Sequence, residues 1–243
     1  MAIDALYLGY LKQAIDRHRA ASGGARMRGL FLAYPDLIVP RAALAQILGE
    51  DAIAGIAQRS DAASIWAYHG LAGVADPMYD SVAIFERLGV DATVIDAARL
   101  RGMERIVDLN FPLPVDLART FDLVVDTGTC EHCFNVAQAF VSACDALVAG
   151  GILVHAAPLT RINHGFWSFN PTVYPDFFED NGFELQLLTG VTGTIAQGFR
   201  PFAVEPFGRF EAPNGAGLYV VAQRREVRDL RWPVQRKYRQ MLK

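Results

Sequence analysis

The most informative segment of this sequence is Phe121-Asp122-Leu123-Val124-Val125-Asp126-Thr127-Gly128-Thr129-Cys130-Glu131-His132. Its first six residues are almost unbroken in apolar character, as a strand covered on both faces of a parallel sheet requires. A short loop follows, and Glu131 and His132 then open a predicted helix that includes residues 136–148. The segment therefore predicts a buried strand that ends in an acid, followed by two titratable side chains at the start of a helix.

Short apolar runs alternate with helical patterns on both sides of this segment. We predict further strands at 64–68, 92–96, 104–108, 152–157, 183–188 and 217–223, and further helices at 78–88 and 175–180. Alternating strands and helices indicate an α/β fold with a mostly parallel sheet and helices on both faces. In such sheets ligands bind beyond the carboxyl ends of the strands.

The chain divides into three predicted parts. Residues 1–60 are expected to be a helical extension, residues 61–223 the α/β domain, and residues 224–243 a basic tail. Within the domain, residues 189–214 are rich in Gly, Pro and Phe and predict a cover over the cleft. The tail could bind an acidic partner or could be an ordinary solvated terminus.

Composition and charge exclude several classes of protein. The 243 residues are 52% hydrophobic and carry a formal net charge of −3, with eight Lys or Arg among the last 21 residues. The apolar fraction excludes disorder, and the acidic main domain argues against a nucleic-acid interface there. No apolar run reaches the roughly 18 residues that would span a membrane. Three cysteines, an odd number, fit a reducing cytoplasm. The sequence leaves open whether the protein forms a homo-oligomer.

Acidic residues end three successive predicted strands. Asp96, Asp108 and Asp126 all fall at the carboxyl edge of the predicted sheet. An acid after the second strand is the usual way to bind a ribose diol, although Asp is also common in caps and turns. The pattern favours a ligand of the nucleoside type.

Several segments resemble class I S-adenosylmethionine-dependent methyltransferases, a Rossmann-like fold. The resemblance covers residues 62–190 and is most like the bacterial small-molecule and sugar-directed branch. Its motifs occur in the family's order and spacing: Asp108-Leu109-Asn110, the segment 121–132, Gly150-Gly151-Ile152-Leu153-Val154, Pro158, and Asn181-Gly182-Phe183.

The resemblance implies a set of cofactor contacts. The loop containing His69, Gly70 and Gly73 would line the methionine end of S-adenosylmethionine, and Asp96 would accept its ribose hydroxyls. Further contacts follow from the same resemblance: Asp108 and Leu109 would face the adenine, Asp126 and Thr127 would close the floor, and Leu109 could equally be core. The loop departs from the family, because Ala67 replaces its acid and His69 and Leu71 replace two glycines. Either the cofactor sits differently or this protein has lost it.

Glu131, His132 and His164 form the predicted catalytic group. Small-RNA 2′-O-methyltransferases have a similar Glu-His pair, with a later His in an aromatic segment, and these bind a divalent metal. Here Gly128 replaces that family's earlier Glu. One carboxylate and two imidazoles suit Mn²⁺, Fe²⁺ or Zn²⁺ better than Mg²⁺. Without metal, His132 or His164 could act as a general base. A structural role, with Glu131 near a helix N-terminus and His132 in the core, is the remaining alternative.

Two further patterns carry weaker predictions. Phe166, Trp167, Phe169 and Tyr174 could stack on the acceptor or could simply form the core of a lid. Cys130 and Cys133 have a Cys-x-x-Cys spacing, but no second pair accompanies them, and we expect neither a disulfide nor a zinc site.

Together these observations predict a cytoplasmic enzyme of small-molecule biosynthesis. It would transfer a methyl group from S-adenosylmethionine to oxygen or nitrogen of a small polar acceptor, such as a sugar or a natural-product intermediate. The alternatives are a non-methylating reaction on the same fold and a non-catalytic subunit that binds only a protein partner.

Overall fold

The computed structural model describes residues 2–239 and 241, and an eight-stranded sheet lies at its centre. The strands are β1 (Ala2–Ile3), β2 (Met27–Leu32), β3 (Asp36–Leu37), β4 (Val90–Asp96), β5 (Arg105–Ile106), β6 (Phe121–Thr127), β7 (Leu147–Pro158), β8 (Phe183–Thr194), β9 (Gly198–Phe202) and β10 (Gly217–Arg224). The helices are α1 (Ala5–Ala21), α2 (Arg41–Leu48), α3 (Ala62–Tyr68), α4 (Ser81–Arg87), α5 (Val136–Asp145), α6 (Val173–Asp180) and α7 (Arg236–Arg239). Short 3₁₀ helices occupy Glu50–Ala52 and Cys130–His132.

The strand order across the sheet is β5-β4-β2-β6-β7-β10-β8-β9. The first five of these strands are parallel, and β10 is inserted antiparallel between β7 and β8. The chain moves outward from β2 through β4 to β5 and then returns to β6 on the other side of β2. This reversal is the topological switch point, where doubly wound sheets bind their ligands. The α/β prediction with a mostly parallel sheet is confirmed.

The predicted first strand at 64–68 is wrong, because these residues form α3. A short apolar run does not distinguish a buried strand from a buried helical turn. Ile65 and Trp66 pack with Ile38 and Met78, and the Trp66 indole donates to the Asp76 carbonyl at 2.9 Å. Tyr68 is 85% exposed, which a strand covered on both faces would not allow.

The first strand of the eight-stranded sheet is β2, which lies within the residues predicted to be a helical extension. It pairs with β4 and β6 in the middle of the sheet, so a boundary at residue 60 would divide that sheet. Gly29 allows this close pairing, since a Cβ there would lie 2.5 Å from the Val90 side chain. Leu30, Phe31 and Leu32 are fully buried.

Two layers of helices cover the sheet. On one face, α1, α2 and α4 bury apolar side chains such as Leu11, Leu44 and Phe85. On the other face, α5 and α6 pack through residues such as Phe140 and Phe177. Asp4 caps α1 by accepting hydrogen bonds from the backbone N–H groups of Leu6 and Tyr7, and it lies with the start of α1 at the carboxyl edge of the sheet.

The predicted helix 136–148 is shorter than expected. It ends at Asp145, and β7 begins at Leu147 with Gly150-Gly151 inside the strand. A Cβ on Gly151 would lie 3.0 Å from the Phe121 carbonyl oxygen, at an irregularity of the β6–β7 register. The fully buried Arg224 guanidinium donates to the carbonyls of Cys144, Asp145 and Leu147, where the helix ends.

The basic tail has an acidic partner within the chain. Arg236 pairs with Glu179 at 2.6 Å, and Arg239 pairs with Asp180 at 3.0 Å, both on α6. The predicted cover 189–214 contains the end of β8 and the hairpin strand β9. Among the residues that the structure describes, no helix has the length and apolar character needed to cross a membrane.

Candidate active site

Two adjoining cavities lie at the carboxyl edge of the sheet, next to the switch point. The first, which we name the histidine cavity, has a volume of about 500 Å³ and is lined by residues that include Asp4, Tyr7, Thr127, Glu131, His132, Arg161, His164, Phe199 and Tyr219. The second, the aspartate cavity, has a volume of about 420 Å³ and is lined by residues that include Tyr34, Asp36, Asp61, Asp96, Leu100, Arg101 and Glu104. Ala33, Tyr68 and His69 line both cavities, so the two form one cleft. Each is large enough for a small ligand.

Glu131, His132 and His164 converge in the histidine cavity. The Nε2 of His164 lies 3.4 Å from Oε1 of Glu131, and the Nε2 of His132 lies 4.0 Å from the same oxygen. The two imidazole centroids are 5.3 Å apart. Glu131 is fully buried, whereas the side chains of His132 and His164 are 51% and 43% exposed. The carboxylate therefore forms the inner wall of the cavity, and the imidazoles face the space where a ligand would enter.

Two glycines make this convergence sterically accessible. Gly128 has φ = 100°, and a Cβ on it would lie 2.8 Å from Oε1 of Glu131. A Cβ on Gly165 would lie 2.8 Å from the Glu131 carbonyl oxygen. Because Gly165 has no side chain, the Phe166 amide donates to that carbonyl at 2.9 Å and ties the His164 loop to the Glu131 turn. Glu131 and His132 lie in the 3₁₀ turn before α5 and not in the helix itself.

The buried carboxylate of Glu131 is incompletely satisfied. Neither of its oxygens has a hydrogen-bond partner among the described residues. A buried carboxylate whose oxygens accept no hydrogen bond is costly, and a bound cation or proton donor would relieve that cost. The donor atoms of Glu131, His132 and His164 all lie within 4.8 Å of one another. This donor set fits a divalent ion such as Zn²⁺ or Mn²⁺, and it equally fits an acid–base pair.

A buried hydrogen-bonded chain supports the turn from below. Asp126 Oδ2 lies 2.8 Å from His155 Nδ1, and His155 Nε2 lies 3.0 Å from the Tyr174 hydroxyl. The other Asp126 oxygen accepts the amides of Gly128 and Thr129. Burial alone would raise the pKa of Asp126, but its hydrogen bond and charge interaction with His155 bring that pKa below its usual value. Asp126 thus holds the loop that leads to Glu131.

The aspartate cavity contains the loop that follows β2. Ala33 adopts φ = 77°, a left-handed conformation that is rare for a residue with a side chain. Asp36 pairs with Arg59 at 3.2 Å and Arg101 at 3.1 Å. Asp96 ends β4, is half-buried, and accepts the Ala98 amide through one carboxylate oxygen at 3.2 Å. Asp96 therefore contributes a carboxylate to the cavity at the position where dinucleotide and related folds bind a ribose.

Only some of the predicted cofactor residues line the two cavities. His69 and Asp96 line the aspartate cavity, and His69 and Thr127 line the histidine cavity. Gly70 and Gly73 follow α3 and line neither cavity; their predicted role depended on the strand at 64–68, which does not form.

Three other predicted cofactor residues also lie outside the cavity walls. Asp126 is buried beneath the site. Leu109 is 5% exposed and packs in the core, as its alternative assignment expected. Asp108 is exposed, and its carboxylate accepts a hydrogen bond from the side-chain amide of Asn110 at 2.7 Å.

The predicted acceptor-binding aromatics do not line the histidine cavity. Trp167 and Phe169 line a separate, mainly apolar groove of about 360 Å³ beside α5 and α6. Tyr174 is buried and its hydroxyl is hydrogen-bonded to Nε2 of His155, whereas Phe166 is 68% exposed. The lid-core alternative therefore describes Phe169 and Tyr174 better than stacking on an acceptor does. The Tyr174 ring packs against the rings of Phe140 and Phe169 in the core.

The cysteines lie close together but in different environments. Cys130 is fully buried, and burial with the nearby Asp126 charge raises the pKa of its thiol well above 9. Burial raises the pKa of Cys133 to about 11. Neither thiol lines the two cavities.

Several residues of the cleft were not predicted from the sequence. Asp4, Tyr7 and Tyr219 form one wall, in which the Tyr219 hydroxyl donates to Asp4 and the Tyr7 hydroxyl donates to the Val154 carbonyl at 2.7 Å. Ala33 and Asp36 follow the strand that was not predicted. The apolar run at 29–32, directly before Ala33, was the signal that could have located them.

Comparison with known proteins adds only distant similarities. No family model matches the chain, and no curated protein matches it. Among solved structures, the N-methyltransferase NodS from Bradyrhizobium japonicum WM9, in complex with S-adenosyl-L-homocysteine, is 14% identical over 90% of this chain and 88% of NodS, with a TM-score of 0.46. TehB from Haemophilus influenzae is 11% identical over 86% of this chain and 61% of TehB, with a TM-score of 0.45. The [4+2]-cyclase SpnF is 14% identical over 75% of this chain and 59% of SpnF, with a TM-score of 0.37. At such distances, arguments about function depend on the residues of this chain.

Proposed function

We propose that this protein transfers a methyl group from S-adenosylmethionine to oxygen or nitrogen of a small polar acceptor. One observation carries the proposal: Glu131, His132 and His164 converge in a cavity that adjoins a second cavity, lined by Asp96, at the switch point of the sheet. The first group can bind and deprotonate an acceptor. The second can hold a nucleoside beside it.

The aspartate cavity fits the adenosyl half of the cofactor. Asp96 is half-buried at the carboxyl end of β4 and can accept two ribose hydroxyls. Asp36 is already paired with Arg59 and Arg101, so it contributes shape to the cavity and little net charge. Tyr68 and His69 stand where the two cavities meet, and burial lowers the pKa of His69 below 6.5. A neutral imidazole at this junction would not repel a sulfonium cation.

When bound, S-adenosylmethionine would supply an already activated methyl group, so the protein's contribution is mainly positioning. His164 or His132 would accept the proton of the acceptor's hydroxyl or amine, and Glu131 would stabilise the imidazolium that results. A divalent ion held by the same three residues would instead lower the pKa of the acceptor hydroxyl.

A second candidate is favoured by the loop after β2. Residues 33–36 read Ala-Tyr-Pro-Asp and contain no glycine, so side chains stand where a backbone cradle would approach the methionine end. This favours a non-methylating reaction at the same cleft, or a subunit without cofactor. Cofactor binding distinguishes methyl transfer from a subunit without cofactor, and product analysis distinguishes it from a non-methylating reaction.

Calorimetry with S-adenosylhomocysteine tests the proposal directly. Binding of one equivalent, weakened in Asp96→Ala, is the expected result. Mass spectrometry of products formed from S-adenosylmethionine and a panel of sugars and hydroxy acids would then identify methyl transfer. No binding heat at any accessible concentration would contradict the proposed function and favour a subunit without cofactor, whereas binding without a methylated product would favour a non-methylating reaction.

A further inference from the structure

We propose that Arg161 binds an anionic group, a carboxylate or a phosphate, on the acceptor. This inference rests on the proposed function and specifies its substrate class: a small hydroxylated molecule that carries a negative charge. It starts from the side chains of the histidine cavity that the proposed reaction does not use.

Arg161 is the one permanently cationic side chain among the described residues that line the histidine cavity. It is half-buried, and no carboxylate of a described residue lies within 4.0 Å of its guanidinium. In the adjoining aspartate cavity, by contrast, Arg101 is paired with Asp36 at 3.1 Å. A guanidinium without an anionic partner inside a cavity is a ready receptor for carboxylate or phosphate.

The guanidinium is held in place by contacts that leave its terminal nitrogens free for a ligand. Its Nε donates to the Gly215 carbonyl at 2.9 Å. Its carbon lies 5.3 Å from the centroid of the Phe199 ring, which comes from the β8–β9 hairpin. These contacts fix the plane of the fork and leave Nη1 and Nη2 for a bidentate anion.

Arg161 and His164 belong to the same turn. The His164 amide donates to the Arg161 carbonyl at 3.2 Å, and both side chains line the histidine cavity. The turn is anchored by Thr160, whose hydroxyl accepts the Ala216 amide at 2.9 Å and donates to the Pro213 carbonyl at 2.6 Å. One rigid turn thus presents a cation for an anionic group and an imidazole for the reacting hydroxyl.

Binding of matched hexoses tests the inference. Calorimetry would compare glucose 6-phosphate and glucuronate with uncharged glucose, and inorganic phosphate and acetate would serve as the anions alone. The variants are Arg161→Gln and Arg161→Lys, with Arg200→Gln as control, because Arg200 is exposed on β9 and does not line the cavity. Circular dichroism and the thermal midpoint would verify that each variant is folded.

We expect one of the two charged hexoses to bind about ten- to hundredfold more tightly than glucose, the range for a hydrogen bond to a charged group. Arg161→Gln should remove this difference, Arg161→Lys should keep part of it, and Arg200→Gln should keep all of it. Preference for the phosphate or for the carboxylate would identify the source of the anion.

Three results would overturn the inference. The first is equal affinity of the protein for charged and uncharged hexoses. The second is that no anionic probe binds less tightly to Arg161→Gln than to the wild type. The third is that Arg161→Gln weakens the binding of S-adenosylhomocysteine but not the binding of the hexoses. The last would assign the cation to the cofactor. Arg161-dependent anion binding in a protein that does not bind S-adenosylhomocysteine would uphold the anion site and contradict the proposed methyl transfer.

Discussion

The Nε2 of His164 lies 3.4 Å from the Oε1 of Glu131, and this contact joins the loops that follow two adjacent parallel strands. Strand β6 leads to Glu131, and β7 leads to His164, with Asp126 opposite His155 in their register. Adjacent strands are about 4.8 Å apart, so side chains a few residues beyond their ends can share one cavity. The convergence follows from the sheet, while the short distance depends on Gly128 and Gly165.

Replacing Glu131 with Gln should lower the activity without lowering the stability of the protein. The amide removes the charge while keeping the size, and we expect turnover to fall by about 10²–10⁴. The thermal midpoint should stay the same or rise, because a buried carboxylate without hydrogen-bond partners is unfavourable. Steady-state kinetics and a thermal melt measure the two effects. A large fall in the melting temperature would show that Glu131 is mainly structural.

His164→Ala should lower turnover by about 10²–10⁴ while S-adenosylhomocysteine affinity stays close to that of the wild type. His164 lines the histidine cavity and not the aspartate cavity. Its loss should therefore impair the reaction of the acceptor and not the binding of the cofactor. His18→Ala, in the last turn of α1, is the matched control. Full activity in His164→Ala would remove this imidazole from the mechanism.

Added Mn²⁺ or a chelator should distinguish the two roles of the Glu131, His132 and His164 group. Metal assistance predicts activity that is lost on chelation, restored by Mn²⁺, and abolished in both histidine variants. Activity indifferent to Mn²⁺ and chelator would leave the general-base role. Metal analysis of the purified protein, together with Mn²⁺ binding to His132→Ala, provides a measurement that does not depend on turnover.

Asp96→Ala should weaken S-adenosylhomocysteine binding by roughly 1–3 kcal/mol, the loss expected when the ribose hydroxyls lose their acceptor. Isothermal calorimetry provides the measurement. Asp91→Ala is the control, because Asp91 lies in the same strand but is exposed and paired with Arg26. Equal affinities of the two variants would remove Asp96 from the cofactor site.

The thiols of Cys130 and Cys133 should form neither a disulfide nor a zinc site. With the pKa of Cys133 at about 11, about one thiol in a thousand would be ionised at pH 8, and the native protein should react slowly with a thiol reagent. All three cysteines should react rapidly in denaturant. Stoichiometric zinc that is lost in Cys133→Ser would contradict this expectation.

Asp126→Asn should change the dependence of stability on pH. The pKa of Asp126 is lower in the folded protein than its ordinary value of 3.8, so its contribution to stability is complete above about pH 5. That contribution is lost as the pH falls below about 4 through the lowered folded pKa. At pH 7 we expect Asp126→Asn to reduce the free energy of unfolding by about 1–3 kcal/mol, and the gap should narrow in acid. Urea unfolding between pH 3 and 7 measures it. A gap that stays constant with pH would show that Asp126 is not ionised in the folded protein.

The amino-acid sequence by itself determined most of the sheet and the place of the catalytic candidates. Strands 121–126, 152–157 and 217–223 are long apolar runs between clear helical or turn signals, and such runs have few alternatives. Because the loops after neighbouring parallel strands meet at one edge, the sequence alone predicts that Glu131 and His164 lie together.

The tertiary structure alone decided which short apolar run is the first strand. Residues 27–32 and 64–68 look alike locally, but only the first can pair closely with β4, through Gly29, while Trp66 finds a partner in the Asp76 carbonyl. It also decided the cavity walls, because Asp4, Arg161 and Tyr219 come from distant parts of the chain. No local pattern encodes such contacts, since they depend on how separate elements pack and on which polar groups remain without partners after packing.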